Sequence, residues 1–136
     1  MHQTPDIPHL VNQPGLFSSE NGIHITLSRP NYAEGQLDVS SSSLNLHGTV
    51  HGGCLYTLAD CVAGTAAIAH TGKRGVTVNS SMEFLRPATG SVITCTATPK
   101  KAGRMLCVMQ VELRDEKQEL VATGTFTFYL FEPKTD

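Results

Sequence analysis

The chain of 136 residues suits one domain with a single hydrophobic core; it is 40% hydrophobic and only 16% charged, with a formal net charge of −2. So low a charge content predicts that part of the surface is covered by other copies of the chain, and no basic cluster is dense enough to be a nucleic-acid footprint. No apolar run reaches the roughly 18 to 20 residues of a bilayer span, and the start Met1-His2-Gln3-Thr4-Pro5-Asp6 lacks the basic and apolar regions of an export signal, so no membrane partner and a cytoplasmic location are expected.

The opening stretch is rich in Pro, Asn, Gln and Ser; residues 1–19 read as a mostly irregular lead-in and 20–136 as the folded domain. Gly22 to Leu27 alternates Ile23, Ile25 and Leu27 against His24 and Thr26, and Ala33 to Ser41 sets Leu37 and Val39 against Gln36, Asp38 and Ser40. Both are strand signals. From Cys54 to about Ala69 the pattern turns helical, with Leu55, Leu58, Val62 and five alanines giving a small, apolar surface interrupted only by the charge of Asp60. A helix apolar nearly all round is expected to be buried. Gly64 costs about 1 kcal/mol of helix propensity against Ala, which fits a close neighbour, and Gly72 ends the segment.

Beyond Gly75 the chain reads as strand: Val76 to Phe84, Ser91 to Thr98, Arg104 to Arg114 and Leu120 to Phe131. In the third of these Met105, Cys107, Met109, Val111 and Leu113 share a face, and in the last Thr123, Thr125 and Thr127 oppose Ala122, Phe126, Phe128 and Leu130. Short turns between them favour antiparallel pairing in a sheet of five or six strands around one helix. The four cysteines lack the short spacing of a zinc or redox pair and sit among apolar neighbours, so buried free thiols are expected. The six histidines form no His-x-x-x-His pair, and neither a metal site nor a cofactor is predicted.

His51-Gly52-Gly53 opens the helix. Helix-start N–H groups have no internal partner and lie at the positive end of the dipole, so they suit a carbonyl oxygen gaining negative charge. Asp60 is the sharper signal, because a carboxylate in the most apolar helix is costly unless it is hydrogen-bonded or reaches a wet pocket. It is the candidate general base, with a structural capping role as the alternative. Gly53 and Asp60 are seven residues apart, which puts them on one face but about 10 Å apart along the axis. One carbonyl cannot meet both. Two antiparallel helices from a pair of subunits would bring Gly53 of one copy to Asp60 of the other.

The runs Asn45-Leu46-His47-Gly48-Thr49-Val50-His51-Gly52-Gly53, Leu58-Ala59-Asp60, Val76-Thr77-Val78 and Phe84-Leu85-Arg86-Pro87-Ala88 closely resemble the hotdog-fold thioesterases, in the PaaI-like branch of acyl-CoA thioesterases. The resemblance covers about residues 20 to 131. It implies an α+β hotdog fold, a long central helix wrapped by a curled antiparallel sheet, in an active homodimer that pairs into a homotetramer. It implies further that Asp60 acts as general base or nucleophile and that the Gly53 amide polarises the thioester carbonyl. Asn45 would orient water or thioester unless it only caps its turn. His51 would lie by the substrate unless it only braces the loop, and Thr77 would help hold the water unless it is a plain strand residue. Arg86, Lys100, Lys101 and Arg104 are candidates for coenzyme A phosphates, with solvated turns, and for Arg86 a bracing role, as the alternative.

The activity so implied is hydrolysis of an acyl-CoA thioester, aromatic (phenylacetyl-type) or medium-chain, to free acid and coenzyme A. A non-catalytic acyl-CoA-binding oligomer and a hotdog hydroxyacyl-thioester dehydratase are the alternatives. Asn79-Ser80-Ser81 is more polar than the resemblance leads one to expect, and bears on the acyl pocket.

Overall fold

One helix and six strands make up most of residues 6–132, the span described by the computed structural model. The opening pentapeptide, on which the reading of no export signal partly rests, lies outside the described residues. Strands β1 (Ile23–Arg29), β2 (Tyr32–Asp38), β3 (Gly75–Phe84), β4 (Val92–Ala102), β5 (Leu106–Arg114) and β6 (Leu120–Leu130) form a single sheet in the order β1-β2-β4-β5-β6-β3. Every pairing is antiparallel. The long helix, here α3 because two short helices precede it, spans Gly52–Thr71 and packs against the sheet. The α+β hotdog architecture is the one the sequence implied.

Alternation explains the core. On β6, residues 122, 124, 126, 128 and 130 are buried while Thr123, Thr125 and Thr127 are half-buried. Cys107, Met109, Val111 and Leu113 of β5 are fully inside, as are Ile93 and Ala97 of β4. Met105 departs from the expected face: it precedes β5 at the β4–β5 hairpin and is 53% exposed. The helix presents Leu55, Leu58, Ala59, Val62, Ala63 and Ala66 to these side chains. Small residues let it lie close. At Gly35 of β2 an added Cβ would stand 2.7 Å from the Val62 side chain, and at Gly64 it would stand 3.4 Å from the Phe128 ring.

Helix α3 begins two residues before its expected start, because His51 serves as N-cap, and it stops at Gly72, whose φ of 70° is the left-handed conformation that glycine adopts without strain. By length and composition alone (20 residues, mean hydropathy 1.3) it could cross a bilayer, which the sequence reading did not register. Nine of its residues are buried within this fold, which marks it as a core helix. It is not buried all round. Gly53, Thr57, Asp60, Gly64 and Ile68 form a stripe that the sheet does not bury, at the 3- and 4-residue spacing of one face.

The lead-in is more ordered than its composition suggests. It contains α1 (Ile7–Val11) and α2 (Phe17–Glu20). Between them Asn12 acts as a two-pronged clamp on the edge strand β1: its Nδ2 donates to the Ile25 carbonyl (2.9 Å) and its Oδ1 accepts from the Ile25 N–H (2.8 Å). One sheet edge is thereby protected. The other, β3, is not. Its Val76 and Val78, and Phe84 and Leu85 at its end, are 48–55% exposed.

Candidate active site

Asp60 lies on the open stripe of α3, half-exposed rather than buried as its apolar neighbours suggested. Its Oδ1 accepts a hydrogen bond from Thr77 Oγ1 at 2.7 Å. One helical turn earlier, Tyr56 and Ser80 hydrogen-bond through their hydroxyls, and the Tyr56 ring meets Phe126 edge-on at 5.5 Å. Thr77 and Ser80 are three residues apart on β3, a spacing that in a regular strand would put them on opposite faces. They both reach α3 because a bulge falls between them: Thr77 pairs with Phe128 and Asn79 with Thr127, leaving Val78 as the extra residue. The bulge turns a polar stretch of strand into two hydroxyls facing the helix.

At the start of α3, His51 has the extended backbone of an N-cap, and its Nδ1 accepts from the Gly53 N–H at 2.8 Å. The Gly53 amide is therefore capped in the free protomer, not open as expected. An accepting Nδ1 requires the proton of a neutral ring to sit on Nε2. The Phe84 ring lies where a side chain on Gly52 would be met, at 3.5 Å. Asn45 is engaged within its own loop: Oδ1 accepts from the N–H groups of His47 (2.9 Å) and Thr49 (3.2 Å), and Nδ2 donates to Thr49 Oγ1 (2.9 Å). That is the turn-capping arrangement. Gly48 at φ 79° completes the turn.

The cationic candidates do not form one patch in the protomer. Arg86 follows the end of β3 and pairs with Glu119 at 2.9 Å, bracing the adjoining turn. Lys100 and Lys101 lie on β4, not in a turn, and Lys100 Nζ reaches Thr125 Oγ1 at 3.3 Å. Arg104, in the β4–β5 hairpin, offers its carbonyl to Lys73 Nζ at 3.1 Å, and Lys73 also pairs with Glu132 at 2.9 Å. Leu85 bonds to β6 at Val121 while Leu106 pairs with Tyr129, eight residues on. Arg86 and the hairpin are thus about 26 Å apart along the sheet.

All four cysteines are free. Burial pushes each thiol up, to about 11 for Cys61, where the Asp60 carboxylate adds to the effect and a hydrogen bond with Ser18 opposes it. None has the depressed pKa of a nucleophilic thiol. Among the described residues no group of His, Cys, Asp and Glu could hold a metal ion.

A long helix packed on a six-stranded antiparallel sheet is the hotdog architecture. Residues 47–122, more than half of the chain, match the thioesterase superfamily. The chain belongs to that family. The protein Rv1847 of Mycobacterium tuberculosis is 33% identical over 129 residues, which is 91% of this chain and 92% of that one; its solved structure superposes with a TM-score of 0.84 over 88% and 98% of the two chains. The acyl-coenzyme A thioesterase PaaI of Escherichia coli is 32% identical over 122 residues, or 89% and 86% of the two chains. A hypothetical thioesterase of Streptococcus pneumoniae, solved with coenzyme A, is 32% identical with a TM-score of 0.76, covering 83% and 88%.

Proposed function

We propose that the protein hydrolyses acyl-CoA thioesters, aromatic or medium-chain, at two equivalent sites formed between the subunits of a dimer. The observation that carries this reading is the Asp60 carboxylate, held by Thr77 at 2.7 Å on the one stripe of α3 that the sheet leaves uncovered. Along α3 the Gly53 amide and Asp60 stand about 10 Å apart, so the amide of one subunit works with the acid of its partner.

In the reaction, the thioester carbonyl takes the Gly53 N–H that His51 Nδ1 holds in the free protomer. His51 keeps that amide aimed until a carbonyl oxygen replaces it. Asp60 accepts a proton as water adds to the carbonyl carbon, and the amide stabilises the oxyanion. Collapse breaks the C–S bond, and the thiolate of coenzyme A receives the proton from Asp60. Asn45 sets the loop that presents His51 and acts on water only through the rest of its amide. An antiparallel helix pair carries the hairpin end of one subunit toward the helix start of the other, so Lys100, Lys101 and Arg104 are the candidates for coenzyme A phosphates. Arg86 stays with Glu119.

Asp60→Asn is the test. Release of free coenzyme A across an acyl-CoA panel is expected to fall about 10²- to 10⁴-fold, the usual contribution of a general base, with the folded structure retained. Equal rates in both proteins defeat the assignment, and a wild type that binds acyl-CoA without turnover favours the non-catalytic alternative. Single turnover in heavy-oxygen water separates the routes: label in the Asp60 carboxylate marks direct attack through a mixed anhydride.

A further inference from the structure

Three side chains of β3 meet α3 at steps of about one helical turn. The Phe84 ring stands beside Gly52, the Ser80 hydroxyl bonds that of Tyr56, and the Thr77 hydroxyl bonds Asp60. Directly paired strand residues share a face of the sheet. Ser80 pairs with the fully buried Phe126 and Thr77 with the buried Phe128, so both lie on the core side. The pairing from Phe84 to Asn79, continued without a break, would set Val78 opposite Phe128. The bulge puts Thr77 there instead. Asp60 therefore meets a hydroxyl rather than an isopropyl group because of one extra residue in β3.

A bulged strand paired on one side only is a loose support for such a contact, since the extra residue adds no ladder bond. Tyr56 is placed to stiffen it. Its ring meets Phe126, the pairing partner of Ser80, edge-on at 5.5 Å, and its hydroxyl bonds Ser80 two residues from Val78. Both hydroxyl-bearing residues are half-buried, where a lost partner is costly. The bulged segment is thus tied to one helix at both of its ends, by Ser80 to Tyr56 and by Thr77 to Asp60. We propose that Tyr56 and Ser80 are positioning residues: their hydroxyl pair pins β3 to α3 beside the bulge and so holds the Thr77 hydroxyl on Asp60. This role deepens the hydrolase reading and rests on it for the work of Asp60, while the hold on Thr77 can be read without turnover.

The experiment is a double-mutant cycle with Thr77. Tyr56→Phe keeps the ring on Phe126 and removes only the hydroxyl. It is expected to lower kcat for acyl-CoA hydrolysis about three- to fivefold, the range of one neutral hydrogen bond, with KM held within about twofold. Ser80→Ala, which removes the partner hydroxyl, is expected to match it. In a Thr77→Val background no hydroxyl is left to position, so Tyr56→Phe should change kcat by less than about 1.5-fold. Factors that multiply in the double variant overturn the proposal, because Tyr56 then acts without Thr77. An unchanged kcat in Tyr56→Phe, or a fall confined to KM, overturns it too. A second measurement needs no substrate: with methyl-labelled threonine, three-bond couplings of the Thr77 methyl should report one side-chain rotamer in wild type and averaging in Tyr56→Phe. A single rotamer kept in Tyr56→Phe overturns the proposal whatever the rates. A wild type that cleaves no thioester fails the hydrolase reading, and the couplings then decide the pin on their own.

Discussion

Thr77 gives Asp60 its one hydrogen-bond donor among the described residues, a hydroxyl 2.7 Å from Oδ1. A bond of this kind to a charged acceptor contributes about 1.5–3 kcal/mol, equivalent to roughly ten- to a hundredfold if it holds the carboxylate in its working orientation. Thr77→Val is therefore expected to lower kcat about tenfold with little change in KM, and Thr77→Ser to keep most of the activity; a Val variant as fast as wild type would reduce Thr77 to a strand residue. Asp60 was legible in the sequence because a lone carboxylate among Leu58, Ala59, Cys61 and Val62 violates the apolar pattern. Its exposure was not, since the pattern of one helix cannot say which stripe the sheet leaves bare. The capping of Gly53 by His51 was equally hidden, as it depends on a side-chain torsion at a helix start.

Among the elements, the polar turn after β5 is tied to the start of β4 by Glu116, whose Oε1 accepts from the N–H and hydroxyl of Ser91 and the N–H of Val92. These bonds, that from the Ser91 N–H foremost, hold the carboxyl below its ordinary 4.5. A folded-state pKa below the unfolded one adds stability that is complete above about 4.5 and is lost as pH falls through the lower folded value. Glu116→Gln should thus lower Tm at pH 7, with the gap to wild type shrinking as pH falls below 4.5; a gap that stays constant with pH would remove the carboxylate from the account. The strands themselves were readable to within a few residues from alternation. The β3 bulge was not, because Val76 to Phe84 alternates well enough to pass for a regular strand, and only pairing with β6 exposes the extra residue at Val78. The docking of the lead-in on β1 was not legible, because it combines two isolated apolar contacts, the buried Ile7 and the partly buried Val11, with the Asn12 side chain and shows no apolar period.

At the scale of the whole molecule, the two sheet edges differ. The β1 edge is engaged by Asn12 at Ile25, whereas β3 is a ten-residue strand paired on one side with β6 and, among the described residues, with no strand on its outer side, where Val76, Val78 and Phe84 are exposed. An edge of that length and character is a template for another strand, and in a stable protein it is covered. A second copy meeting β3 with β3 would lay two α3 stripes alongside one another, with Gly53, Thr57 and Gly64 small enough to permit close approach. The low overall charge of the chain fits the same conclusion. Val76→Asp places a carboxylate at that edge in each copy, where two like charges oppose pairing. Light scattering is expected to show half the wild-type mass. In the proposed dimer each protomer keeps its own Asp60 and Gly53 but needs its partner to complete the site, so hydrolysis is expected to fall in parallel. A monomer with full activity would break the link between the open edge and the chemistry, and would require Gly53 and Asp60 of one chain to act on one carbonyl across about 10 Å.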